Sequence, residues 1–270
     1  WLIESDDEHR PGNIGRLTQE DVFMFETETV TYLPVLTLGR YTRFDSNSVI
    51  EYLAPQGTES VEFNDVAQTS LAVYEGVLGP YPFSQLRITA TDDEVGAGIG
   101  AQSQVMLPET LWEVPRDDPF FRTVQEVVSH EIAHQYFFNL IGVTDAEEGW
   151  MSEGFAEFAA SRASEVITES KGHIRRNYWN YLVSVAPRED APLYGTQVRL
   201  SPRSFEIMYQ KGSAVLEMLR AKLGETVFDE MLQAYVLGFA NQITTTPEFE
   251  AFVTAYTGDP STALFFEEWV

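Results

Sequence analysis

The stretch SHEIAHQYFFN, Ser129 to Asn139, constrains this chain more than any other part of it. Two histidines sit four residues apart inside an otherwise apolar run. Residues four apart share a helix face, with about 5–6 Å between their Cβ atoms. His130 and His134 can therefore aim both imidazoles at one ion, provided the segment is helical. Glu131 projects about 100° away around the helix. It does not easily join the two histidines as a ligand, but it can reach a water that the ion holds. Two ligands and one base is the mechanical content of this H-E-x-x-H spacing. The competing reading is an amphipathic helix whose histidines pack at the edge of a core.

A catalytic zinc takes three protein ligands and keeps one position open. The chain has no cysteine, so zinc fingers and disulfide frameworks are excluded and the third ligand must be His, Asp or Glu. The segment GWMSEGFAEFAAS supplies Glu153, nineteen residues after His134, in a second helical pattern of Trp150, Phe155, Phe158 and Ala159. A carboxylate in an apolar stripe is costly unless it is paired or bound to metal. This favours a site for one Zn2+ made by His130, His134 and Glu153. Glu157 lies one turn further on and can bond to the free ring nitrogen of a histidine ligand. His9 and His173 have no metal-spaced partners and are expected at the surface. The acidic pairs at Asp92–Asp93 and Asp117–Asp118 and the run from Asp145 to Glu148 lack EF-hand spacing and read as solvated loops.

Around these motifs the chain changes character. Thr29 to Phe44 and Ser48 to Pro55 read as strands, rich in β-branched and aromatic residues. Asn64 to Leu78 has helical spacing, Gln85 to Thr91 and Gln104 to Leu107 read as strands, and glycines crowd GAGIGAQSQVMLP between them. After Pro119 helical patterns dominate: Arg122–Leu140, Gly149–Ser164, Gly172–Val185, Ser204–Leu223 and Thr226–Leu237. A last helix has Thr246 as candidate N-cap, Pro247 at its first position and Gly258 as its stop. The expected class is α+β: a mixed β-sheet lobe followed by a mainly helical lobe, with a cleft between them. Residues 1–60 form a β-rich arm and strands, and residues 61–270 the main domain.

VVSHEIAHQYFFN, then GWMSEGFAEF with eighteen residues between His134 and Glu153, resembles the M1 family of zinc metallopeptidases, gluzincins with a thermolysin-like catalytic fold. IMYQKGSAVLEML resembles that family's tyrosine-bearing helix, and GVLGPYPFSQLRITA the segment before its substrate-binding strand. The resemblance implies His130, His134 and Glu153 on zinc, Glu131 activating water, and Tyr209 stabilising the oxyanion. Spacing alone does not single out Tyr209. The resemblance fails at the family's GxMEN-like strand, whose glutamate grips the substrate amine. No acidic residue occurs between Glu94 and Glu109, and Ala101 or Gln102 would stand in the glutamate's place. A neutral residue there cannot pair with an ammonium group. The chain is also short for the family, which is expected to leave the cleft less capped.

The expected function is zinc-dependent hydrolysis of peptide bonds in a peptide or protein substrate. The alternatives are a non-peptidase zinc hydrolase acting on epoxides or esters, and a zinc-stabilised peptide-binding module without turnover. The net charge of −25 repels phosphate backbones, so no nucleic-acid partner is expected. No apolar run reaches the ~20 residues of a membrane span. The start, WLIESDDEHRPG, is acidic where a signal peptide is basic and lacks methionine, as expected of a processed or excised chain. An exported or cell-surface setting is preferred to the cytoplasm. The sequence sets no oligomeric state.

Overall fold

A computed structural model describes residues 31, 33–37, 39–46, 49–92, 96–144, 146–185 and 189–270. Its first half is a five-stranded sheet in the order β1-β2-β3-β5-β4. The strands are β1 (Tyr41–Asp45), β2 (Ile50–Pro55), β3 (Leu86–Thr91), β4 (Ile99–Ala101) and β5 (Gln104–Pro108). β1 runs antiparallel to β2, β2 and β5 run parallel to β3, and β4 runs antiparallel to β5 at the edge. The parallel pair β2–β3 needs a crossover, and helix α1 (Asn64–Leu78) provides it. His9 and the arm before Asp21 lie outside the described residues.

Glu51 on β2 is 2% exposed, and its alternation with apolar neighbours does not bring it to water. Arg43 and Arg87 on the flanking strands meet its carboxylate at 2.5 and 2.7 Å. A buried carboxylate is tolerated when it is paired in this way. Of the strand expected from Thr29 to Phe44, residues 29, 30, 32 and 38 lie outside the described residues, and the described part forms a strand only from Tyr41, running to Asp45. Pro34 has no N–H to give a ladder, and the described residues before Tyr41 form none.

The helical part follows: α2 (Glu109–Trp112), α3 (Phe121–Ala133), α4 (Trp150–Thr168), α5 (Gly172–Ser184), α6 (Thr196–Leu200), α7 (Gly212–Leu223), α8 (Glu225–Gly238), α9 (Thr246–Thr257) and α10 (Ser261–Trp269). A small parallel pair, β6 (Gly142–Val143) and β7 (Ile243–Thr244), ties the end of the α3 region to the segment before α9. The α+β reading holds. α3 packs on α1 and α4, and Phe121, Val124, Val128 and Ile132 of α3 are buried there. Trp150, Phe155, Tyr235 and Phe249 form an aromatic cluster beneath α4, with ring centroids 5.0–6.1 Å apart among the contacting pairs.

Among the helices, three differences from expectation have a visible cause. α3 stops at Ala133 instead of running to Leu140. Beyond it the polar side chains bond to the edge of the sheet: Gln135 donates to Ala101 O at 2.8 Å and Asn139 to Gly100 O at 2.9 Å. The helix from Ser204 is interrupted by a π-helical turn at Glu206–Lys211. The N-cap of α9 is Thr245, one residue earlier than expected, because Glu248 closes a capping box with it. Thr246 instead bonds through its hydroxyl to Trp150 and Glu148 in the interior.

α4 and the start of α7 approach backbone to backbone at Gly154 and Gly212. A Cβ on Gly154 would stand 2.9 Å from Met208 O and 3.0 Å from the Cα of Gly212. Gly76 on α1 meets nothing within 4 Å. Both are helical glycines, and alanine has about 1 kcal/mol better helix propensity than glycine. Gly76→Ala is therefore expected to raise the melting temperature. Gly154→Ala is expected to lower it, because overpacking costs about 1–3 kcal/mol where the neighbour is backbone. Calorimetric melting of the two variants beside the parent checks both signs.

Candidate metal centre

The last turn of α3 is held from below. Tyr74 of α1 donates to Ser129 O at 2.7 Å, and Ser70 shares a hydrogen bond with Ser129 Oγ at 2.8 Å. This fixes the helix one residue before His130. From that turn His130 and His134 face Glu153, in the first turn of α4. Nε2 of His130 lies 3.2 Å and Nε2 of His134 3.3 Å from Glu153 Oε2. Ligand atoms of the three residues all lie within 4.8 Å of one another.

The far nitrogen of each ring is committed elsewhere. His130 Nδ1 lies 3.0 Å from Glu157 Oε2, and His134 Nδ1 lies 3.1 Å from the carbonyl of Phe137. These partners turn both Nε2 atoms toward Glu153, the arrangement a His-His-Glu zinc set requires. The donor set therefore fits one zinc ion. Glu131 lies beside it at the lip of a cavity of about 530 Å³ that also borders Gly98, Gly100, Phe138 and Tyr209.

The electrostatics follow from this crowding. Burial opposes charge on His130, but hydrogen bonds to Glu153 and Glu157 outweigh it and leave its pKa well above the ordinary value. Burial likewise opposes charge on Glu153, and His134 and His130 together hold its carboxyl far below the usual range. Glu131 lies to one side, and burial pushes its pKa up. A divalent cation competes for the same imidazole lone pairs, so its binding would release protons.

Glu157 behaves as expected from its place one turn after Glu153. His173 does not. It was expected at the surface, yet it is 4% exposed and its Nε2 lies 2.7 Å from Glu157 Oε1. Asn177, one turn further along α5, donates to the same oxygen at 2.6 Å. Both carboxylate oxygens of Glu157 are thus engaged, one toward the candidate ligand His130 and one toward α5. Burial works against the Glu157 charge, and His130 and His173 more than offset it. Sixteen residues separate His173 from Glu157, a spacing that carries no signal before α5 folds back on α4.

Tyr209 sits on the π-helical turn, a feature frequent at functional sites. Its ring stacks on His130, with centroids 5.4 Å apart and planes 10° from parallel, and on Phe205 at 4.2 Å. Burial, and then the charge of the nearby Glu153, raise its pKa and keep the phenol protonated.

Strand β4 closes the cavity's other side. Close approach requires glycine at Gly100, where a Cβ would stand 2.6 Å from Glu131 O, and a Cβ on Gly98, just before the strand, would stand 2.8 Å from the Glu131 side chain. The residues of β4 and its approach that border the cavity are Gly98, Ile99 and Gly100. Ala101 is fully buried and Gln102 sits in the turn to β5, so neither borders the cavity.

A family model described as the Peptidase family M1 domain matches residues 63–269. The chain belongs to peptidase family M1. Its relatives include a leucyl aminopeptidase of Saccharolobus solfataricus, 24% identical over 230 residues that cover 78% of this chain and 29% of that protein. Aminopeptidase N of Oryctolagus cuniculus is 35% identical over 131 residues, covering 45% of this chain and 14% of the relative. The chain thus spans less than a third of either relative. An M1 zinc metallopeptidase of Deinococcus radiodurans shares the fold with a TM-score of 0.65 at 22% identity, covering 85% of this chain and 50% of that one. Yeast LTA4 hydrolase bound to bestatin gives 0.72 at 17% identity, covering 86% of this chain and 39% of the other.

In this M1 chain Glu157 is the link between the candidate ligand His130 and the helix α5. Glu157→Gln is expected to weaken zinc binding by roughly 10–100-fold. Competition against a chromogenic chelator measures it, with the far-ultraviolet dichroism unchanged.

Proposed function

We propose that this M1 chain is the catalytic module of a zinc-dependent peptidase. The observation that carries the reading is the convergence of His130, His134 and Glu153 within 4.8 Å, at the wall of an open cavity that also borders Glu131 and Tyr209. A purely structural zinc would be closed by a fourth protein ligand. Among the described residues the cluster supplies three.

Zinc held by these three residues supplies an acidified water and a polarised scissile carbonyl. Glu131 takes the proton of the attacking water on a carboxylate oxygen. The backbone of Gly100 lies against Glu131 and favours the charged form of its carboxylate. Glu131 then passes the proton to the departing amine. Tyr209, kept protonated by burial and by Glu153, donates its phenolic hydrogen to the oxygen on which charge develops. The stack of Tyr209 on His130 holds the phenol beside the site.

The substrate is a peptide or an unfolded protein segment. The carboxylates bordering the cavity are Glu131 and Glu153, both occupied with the metal centre, and the facing strand offers only Gly98, Ile99 and Gly100. Among the described residues a substrate ammonium therefore meets no third carboxylate. Cleavage then does not require a free N-terminus.

Two measurements test this. Glu131→Gln is expected to keep one equivalent of zinc and to lose about 10²–10⁴-fold in turnover, the range of a general base; turnover near the parent value removes Glu131 from that role. A peptide library with free N-termini and the same library acetylated, read by mass spectrometry with and without chelator, are expected to be cut equally and only without chelator. Removal of single residues from free ends alone would instead mark a strict aminopeptidase.

A further inference from the structure

Phe138 has a φ of 99°. For a bulky residue with a Cβ this is a true outlier, in a region where glycine sits without strain. The surroundings impose the conformation. The N–H of Phe138 donates to Ile141 O at 2.8 Å, that of Asn139 to His134 O at 3.1 Å, and that of Ile141 to Tyr136 O at 3.0 Å. The Asn139 side-chain amide donates to His134 O and to Gly100 O at 2.8 and 2.9 Å. These bonds lash the turn between the end of α3 and the edge strand β4. They are all made by backbone atoms or by Asn139, so glycine at 138 would complete the same turn without strain. The aromatic ring is not needed for it.

The neighbours differ in a second respect. Phe137 and Asn139 are each 1% exposed and belong to the interior. Phe138 is only half-buried and borders the cavity of the metal centre. Leu33, Ile99 and Val143 border the same cavity and make this part of its lining apolar. Strained residues persist where the surrounding structure over-determines them, and they cluster at ligand sites.

We propose that the Phe138 ring is a specificity-determining wall of the cavity, which selects substrates with a large apolar side chain next to the metal centre. The identity of the substrate as a peptide rests on the peptidase reading above; the wall does not. A hydrophobic pocket that gains or loses such a surface discriminates between substrates by tenfold or more.

The test uses the zinc-loaded chain and its Phe138→Ala and Phe138→Gly variants. Two hydroxamate probes, one with a phenylalanyl side chain and one with a glycyl side chain, are titrated calorimetrically, and zinc content and melting temperature are recorded. The parent is expected to prefer the phenylalanyl probe. Both variants are expected to lose that preference by about tenfold or more while retaining zinc. The glycine variant is expected to melt above the alanine variant, because only glycine is relaxed at this φ. An unchanged preference overturns the wall. So does a parallel loss of both probes, which would mean that the ring merely supports the metal centre, and so does failure of the parent to bind either probe. A shifted preference in a chain that cleaves no peptide leaves the wall standing and removes the peptidase reading. Cleavage with an unshifted preference does the reverse.

Discussion

Glu157 is a largely covered carboxylate on α4, and it joins three helices. One oxygen faces His130 of α3, and the other accepts from His173 and Asn177 of α5. An uncompensated charge in such a place would be strongly destabilising, so these partners must arrive together. Once they do, the registers of α3 and α5 against α4 are fixed. His130 has then only one nitrogen left for the cavity. The orientation of the metal set is thus a consequence of satisfying a charge behind it. The same logic recurs in the sheet, where Glu51 is held between Arg43 and Arg87.

Glycine contributes the opposite kind of constraint, by leaving room. Gly154 and Gly212 let α7 approach α4 closely, which brings the π-helical turn and Tyr209 over His130. Gly98 and Gly100 let β4 lie against Glu131 of α3, close enough for Gly100 O to accept from Asn139. At Gly154 and at Gly100 a methyl group would meet backbone atoms, which cannot yield cheaply. At Phe138 the chain accepts a strained backbone instead, in the same turn that finishes the ligand helix.

Much of this was legible in the residues. The helical period around His130 and His134 forced both onto one face, and the spacing to Glu153 allowed a second helix to return. Helix α1 matches its expected span, and the β-rich start and helical remainder follow from the change of period after Pro119. The α3 terminus was not legible. Its apolar run continues to Leu140, and the helix ends because Gln135 and Asn139 find partners on a strand distant in sequence. α10 was also missed, since its short pattern carries little periodic signal.

The sequence by itself determined the ligand types, their order and the neutrality of the strand facing them. Helical geometry converts spacing into a shared face without help from the rest of the chain. Tertiary structure decided what those residues meet. It buried His173, put Gly98, Ile99 and Gly100 rather than Ala101 and Gln102 at the cavity, and set Tyr209 on His130. Each of these depends on contacts between segments far apart in the chain. Local periodicity holds no information about such contacts, because they exist only after α5, β4 and the π-helical turn have packed around α3 and α4.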